Sequence, residues 1–355
     1  MVCGFHSCLA DGVSPVGQYL GQALHIVFDG RTGVSIFFVL SGLVLGMSLR
    51  RDGPVTSVSY LRFLFRRFFR IWPAYFVTTI CYLILYFTLK SRVSQGLPIG
   101  HGWNDFLTHL SLSGAAIIKN FIFLDQSLNI ATWTLKVEME AAFLLPLMHA
   151  YSLRFRTRGW IILLVALLAL SLWPGSRATR ANLYLFYLGY LIPPMLEALR
   201  STRFTERFLS TGWLLTLALA ALALSHLISG NFGLIPAGIG ATLLLILLQI
   251  ESSHPLFAVL DFRLVKFLGM VSYSFYLVNL LSADFVQRMF SLFAGIRPGQ
   301  TLATWFFEFI LTSLLGLALA SVFFYLVERP SVKLGGSLWP SRPPTAASRP
   351  TPAKA

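Results

Sequence analysis

The 355-residue chain is 56% hydrophobic and only 12% charged, with a formal net charge of +14, where a soluble domain carries roughly 25% charged residues. Long apolar stretches without a charged exterior exclude an ordinary soluble domain. The Lys and Arg sit in short runs between apolar segments rather than over one face, which argues against a nucleic-acid partner and for a membrane topology signal.

Taken from the N-terminus, Met1–Ala10 is apolar and lacks a basic leader, so it reads as the back half of a membrane helix, Val2–Leu9, whose first half would precede Met1. Apolar stretches near span length follow at 33–49, 71–89, 132–151, 159–174, 182–199, 212–229, 233–250, 264–285 and 303–327. The expected fold is therefore all-α, a polytopic bundle of about ten transmembrane helices with the first incomplete. The stretch 106–124 is interrupted by His109, Lys119 and Asn120 and is expected to be a lipid-surface or re-entrant segment. Placing it so leaves the basic loops around Arg50, Arg66, Arg154, Arg203, Arg263 and Arg329 on one side, which the positive-inside rule makes cytoplasmic.

The expected division is a membrane domain over 1–333 and a disordered cytoplasmic tail over 334–355, rich in Pro, Ser, Thr and Ala. There is no convincing internal repeat, a mild argument against a secondary carrier. Cys3, Cys8 and Cys81 are too few and scattered for a disulfide framework or a closed zinc site, and no metal is expected.

Ionisable groups within or beside a span are functional candidates because lipid makes them expensive. They include His6 in the N-terminal run, His25 and Asp29 before the next span, Glu138 and Glu140 after Trp133, and Glu328 at the close of the last span. Two positions apart on a helix place Glu138 and Glu140 about 200° from each other, so they face different surroundings. Glu138 can serve a site or be a buried partner for an Arg, and His6 can be catalytic or a satisfied core histidine. Arg62, Arg66 and Arg70 repeat at i, i+4, i+8 with Arg67 beside them. They can anchor lipid head groups or dock a polyanionic cytoplasmic ligand.

Several short blocks occur in a fixed order. Gly33 to Gly42 reads GVSIFFVLSG; Arg66, Arg67, Arg70 and Pro73 form RRxxRxxP; and Trp133, Thr134, Leu135 and Glu138 form WTLxxE. Ser272, Tyr273, Ser274, Tyr276 and Leu277 form SYSxYL, and Glu328, Arg329 and Pro330 close the series. Together these resemble the membrane acyltransferase family known as acyltransferase 3, which O-acylates surface glycans and some small molecules. The blocks run from about residue 33 to 333, nearly the whole chain.

The resemblance implies an integral membrane O-acyltransferase of the cytoplasmic (inner) membrane, with the C-terminus cytoplasmic. It implies transfer of an acyl group, most simply acetyl, from acyl-CoA to a hydroxyl of a sugar, polysaccharide or glycolipid. The family's first span holds an Arg followed by an essential His; His6 is similar to that His, while the matching Arg would fall before Met1. Many relatives place a His two residues beyond the SYSxYL block, where this chain has Asn279.

On this reading His6 and Glu138 are the catalytic candidates, and Arg66, Arg67 and Arg70 hold the acyl-CoA phosphates. Gly33, Ser41, Gly42, Trp133, Tyr276 and Glu328 have structural or acyl-path roles. No bound cofactor is expected. Acyl-CoA is the co-substrate, the lipid bilayer and a glycan or glycolipid acceptor are the partners, and transfer to a remote polymer would need a separate extracytoplasmic protein. The rival readings are a carrier or flippase for a lipid-linked or acidic solute, and a non-catalytic relative of the family.

Overall fold

The computed structural model describes residues 30–99, 106–175, 177–200, 211–228, 230–250, 255–295 and 302–339. His6, His25 and Asp29, and the Val2–Leu9 run, lie outside the described residues. All regular structure among the described residues is helical: α1 (Gly30–Asp52), α2 (Ser57–Ser94), α3 (Phe106–His109), α4 (Gly114–Phe121), α5 (Trp133–Leu172), α6 (Ala178–Arg200), α7 (Thr211–Leu227), α8 (Leu234–Ile250), α9 (Arg263–Met289), α10 (Leu302–Phe323) and α11 (Arg329–Leu338).

The architecture is an all-α membrane bundle. Among the described residues, six helical segments are long and apolar enough to cross a bilayer: Thr32–Asp52, Ser57–Ser94, Ile130–Leu172, Gly230–Ile250, Arg263–Phe293 and Ala303–Leu338. Helices suit this composition because hydrocarbon offers no partner for backbone N–H and C=O groups, which must be satisfied within the segment. Large apolar side chains such as Ile84, Ile161 and Leu326 point outward, where lipid tails rather than water would meet them.

The stretch 106–124 forms only the short helices α3 and α4, too short to span. It packs beside the middle of α2 instead: the Tyr75 hydroxyl donates to the Asn120 carbonyl, and Trp72 Nε1 donates to Phe121 O at 3.1 Å.

Helix α5 contains two arms, because Arg156 adopts φ 49° and ψ −142° inside it. A straight helix would carry Leu172 roughly 48 Å from Glu140. Instead the hydroxyl of Thr179, at the start of α6, donates to Glu140 near the start of α5, so the arm 157–172 returns the chain across the bundle. Trp160 Nε1 donates to Ser152 O at 3.3 Å across that reversal. The Arg154, Arg156, Arg158 run thus marks a turn between two apolar segments, where charged side chains can reach water.

Helix α6 is the buried centre, with Tyr184, Phe186, Tyr187 and Tyr190 each 0% exposed. It packs on α1, α5 and α8. The approach to α1 is backbone on backbone: a Cβ on Gly42 would overlap the Phe186 carbonyl, and one on Gly189 would overlap the Val39 carbonyl. Small residues at such crossings let membrane helices reach dispersion contact that longer side chains forbid.

Helix α10 passes through a π-turn, Phe324–Glu328, into α11. Pro330, at the head of α11, has no N–H to offer the Leu326 carbonyl, and a wider turn accommodates that missing bond. Residues 334–338, expected to begin the disordered tail, continue α11, while residues 340–355 lie outside the described residues.

Candidate active site

A cavity of about 1000 Å³ opens between α1, α2, α5 and α9. Its lining joins four of the sequence blocks: Gly33, Phe37 and Ser41 of α1; Arg66, Arg67 and Arg70 of α2; Thr134 and Glu138 of α5; and Ser272, Tyr273 and Tyr276 of α9. The fifth block stands directly behind this wall, where the Ser274 hydroxyl donates to Glu328 Oε2 at 2.7 Å.

Helix α2 starts from a capping box in which Ser59 N donates to Thr56 Oγ1 at 3.1 Å and Thr56 N donates to Ser59 Oγ at 2.8 Å. This start sets the register that carries Arg66, Arg67 and Arg70 to the cavity together, since positions three and four apart share a helical face. Arg62, on the same sequence repeat, does not line it.

Arg67 is only 9% exposed and forms an ion pair with Glu138, itself 4% exposed. The Ser41 hydroxyl donates to the same carboxylate, at 3.3 Å from Oε1. Three helices therefore meet at one buried carboxylate. Such a pair survives in a low-dielectric setting because each charge offsets the desolvation of the other and further hydrogen bonds serve the carboxylate. Glu140 turns the other way, to Thr179, as the helical angle between the two positions requires.

The three Arg side chains differ in freedom. Arg67 is held by Glu138; Arg66 donates from Nε and Nη2 to the Trp339 carbonyl at 3.2 and 3.1 Å; Arg70 is exposed at the cavity. Arg51 and Asp52, at the end of α1, complete a charged rim. Val34, Phe37, Leu40, Val44, Leu45 and Leu135 give the rest of the lining an apolar character.

On the α9 wall, Tyr276 donates to Ala131 O at 2.5 Å and accepts from Thr134 Oγ1 at 2.7 Å. Tyr273 donates to Ile71 O at 2.7 Å, tying α9 to α2. Asn279 lies one turn along α9 from Tyr276, is 2% exposed, and leaves its Oδ1 without a hydrogen-bond partner. It does not line the cavity.

The residues expected to be structural or to line the acyl path divide into two sets. Gly33, Ser41 and Tyr276 face the cavity, whereas Gly42, Trp133 and Glu328 lie behind its lining. Gly42 serves the α1–α6 crossing, Trp133 meets Phe38 edge-on at 6.2 Å, and Glu328 secures Ser274. The sequence reading did not single out Asp284 and Glu308 as charges within apolar segments. Asp284 Oδ2 accepts from Arg288 Nε at 2.8 Å in a buried pair, and Glu308 is 1% exposed. Their presence in apolar runs was a signal legible in the sequence.

Residues 1–325 match the family described as an acyltransferase domain. Over 133 residues the sequence is 32% identical to Acyltransferase MdmB of Streptomyces mycarofaciens, an alignment covering 37% of this chain and 32% of that relative. The chain thus spans about a third of the length of the curated relative it matches. No solved structure matches the chain.

Proposed function

The chain belongs to the acyltransferase 3 family, and on that premise we propose that it is an integral membrane O-acyltransferase that moves an acyl group, most simply acetyl, from acyl-CoA to a hydroxyl of a sugar or glycolipid. The observation that carries this reading is the meeting of the family blocks on one cavity, whose lining combines arginines with an apolar surface.

Those two surfaces suit the two ends of the donor. Guanidinium groups bind phosphates through forked pairs of N–H bonds, so the Arg66, Arg67 and Arg70 side would hold the nucleotide end. The apolar lining would receive the pantetheine arm and acyl group, shielding the thioester from water. The volume, about 1000 Å³, is at the upper end of the usual range for small-molecule sites.

The chemistry requires a base, because an alcohol is a poor nucleophile until its proton is removed. His6 would take that proton, the alkoxide would attack the thioester carbonyl, and the C–S bond would break to release the CoA thiolate, which is then protonated. A neutral imidazole near pH 7 suits this role. Glu138 would orient the site through Arg67 and Ser41. The basic loops support an arginine side that faces the cytoplasm, where acyl-CoA is made, so that the membrane would lie between donor and outer acceptor.

The test is to incubate the purified protein with labelled acetyl-CoA and candidate glycans. Label transferred to a glycan hydroxyl supports the enzyme; solute accumulation in proteoliposomes without transfer supports a carrier or flippase.

A further inference from the structure

The arginine nearest the C-terminal helix is held by main chain. Arg66 lines the cavity, yet its Nε and Nη2 both donate to the carbonyl of Trp339, just past the end of α11. Two contacts on the same face of α2 hold that carbonyl in place. The Phe65 ring meets Trp339 at 5.6 Å, and buried Gly335 lies against Phe69, so closely that a Cβ there would sit 2.6 Å from the Phe69 Cβ. The next residue, Gly336, is exposed with nothing within 4 Å of a Cβ.

We propose that α11 is the positioning element for Arg66, with Gly335 the residue that lets it dock, so that the C-terminal end of the Ala303–Leu338 segment sets affinity for the anionic donor. This rests on the acyl-CoA reading above. A carbonyl does not neutralise a guanidinium; it orients it and leaves the remaining N–H groups and the full charge for a phosphate. An arginine already fixed loses less rotamer freedom when the donor arrives, and that saving appears as affinity. The π-turn at Phe324–Glu328 belongs to the same arrangement, since it leads from α10 into α11 while Glu328 accepts from Ser274 behind the cavity wall.

The adjacent glycines supply a matched comparison. Gly335→Val pushes α11 off Phe69, whereas Gly336→Val adds the same side chain to an open surface. In acetyl-CoA titrations of the purified protein, Gly335→Val is expected to raise donor KM roughly tenfold with kcat within about twofold, and Gly336→Val to match wild type. A chain stopped after Ser337, lacking the Trp339 carbonyl, should reproduce the Gly335→Val result even where Gly335→Val lowers yield. A chain stopped after Pro340 should behave as wild type. Unchanged KM in both Gly335→Val and the Ser337 stop overturns the proposal, as does a lower KM, which would make α11 a restraint on Arg66. An equal fall in kcat across all four variants would make α11 merely structural. If the wild type neither binds nor turns over acetyl-CoA, the acyl-CoA reading and this inference both fall, whereas wild-type turnover with unmoved KM defeats this inference alone.

Discussion

Glu138 on α5 and Arg67 on α2 form a buried ion pair on the cavity wall, and Ser41 of α1 donates to the same carboxylate. The pair both fastens three helices and presents charge to the site, so its two roles can be separated by substitution. Glu138→Ala strands a buried guanidinium and should cost about 3 kcal/mol. Arg67→Met with Glu138→Leu removes both charges and should recover most of that loss. Thermal unfolding in detergent reads both; a double variant no more stable than Glu138→Ala would show the pair is not the cause.

Arg70 should behave oppositely. It is exposed at the cavity, so Arg70→Ala should shift stability by under about 0.5 kcal/mol. The same change should weaken acyl-CoA binding roughly tenfold and flatten its dependence on salt. Arg66→Ala with Arg67→Ala should also weaken donor binding, but with a loss of stability from Arg67. Binding titrations across ionic strength distinguish the two; equal stability losses would contradict the assignment.

His6→Ala should abolish acetyl transfer to the glycan while leaving the amount of protein in the membrane unchanged. Transfer assays alongside quantitative blotting measure this, and retained transfer would remove His6 from the mechanism.

The α1–α6 crossing is a packing site with no chemistry of its own. Gly42→Ala and Gly189→Ala each place a methyl against a facing main-chain carbonyl, Phe186 and Val39 respectively. Each should cost about 1–3 kcal/mol by forcing the helices apart. Monodispersity and thermal midpoint on size exclusion report the effect. Unchanged values would show that the crossing can open without loss.

Ser274→Ala should destabilise by about 1–3 kcal/mol, because it leaves buried Glu328 without the hydroxyl that donates to it at 2.7 Å. Glu328→Gln keeps an acceptor at that position and should cost less. The order of the two thermal midpoints decides the point.

Local physics made much of the fold legible. The apolar stretches, the Arg154 to Arg158 turn and the interrupted 106–124 stretch follow from which residues hydrocarbon accepts and how long a helix must be to cross it. The divergent facing of Glu138 and Glu140 follows from the turn angle of one helix. The family blocks could be read in order, though not their roles relative to one another.

Which of those residues touch was decided only by the tertiary structure. Nothing local separates Arg66, bound to Trp339, from Arg67, bound to Glu138, or from exposed Arg70, because neighbours on one helix become different only when other helices dock against them. Gly42 and Gly335 likewise look like any glycine in a helix until Phe186 and Phe69 lie against them. The sequence by itself determined a membrane-embedded helical chain of a recognisable family, since solvent preference and helical period act over one segment. The cavity and its division of arginines needed the packed bundle, since charge pairing and close approach act between segments distant in the chain.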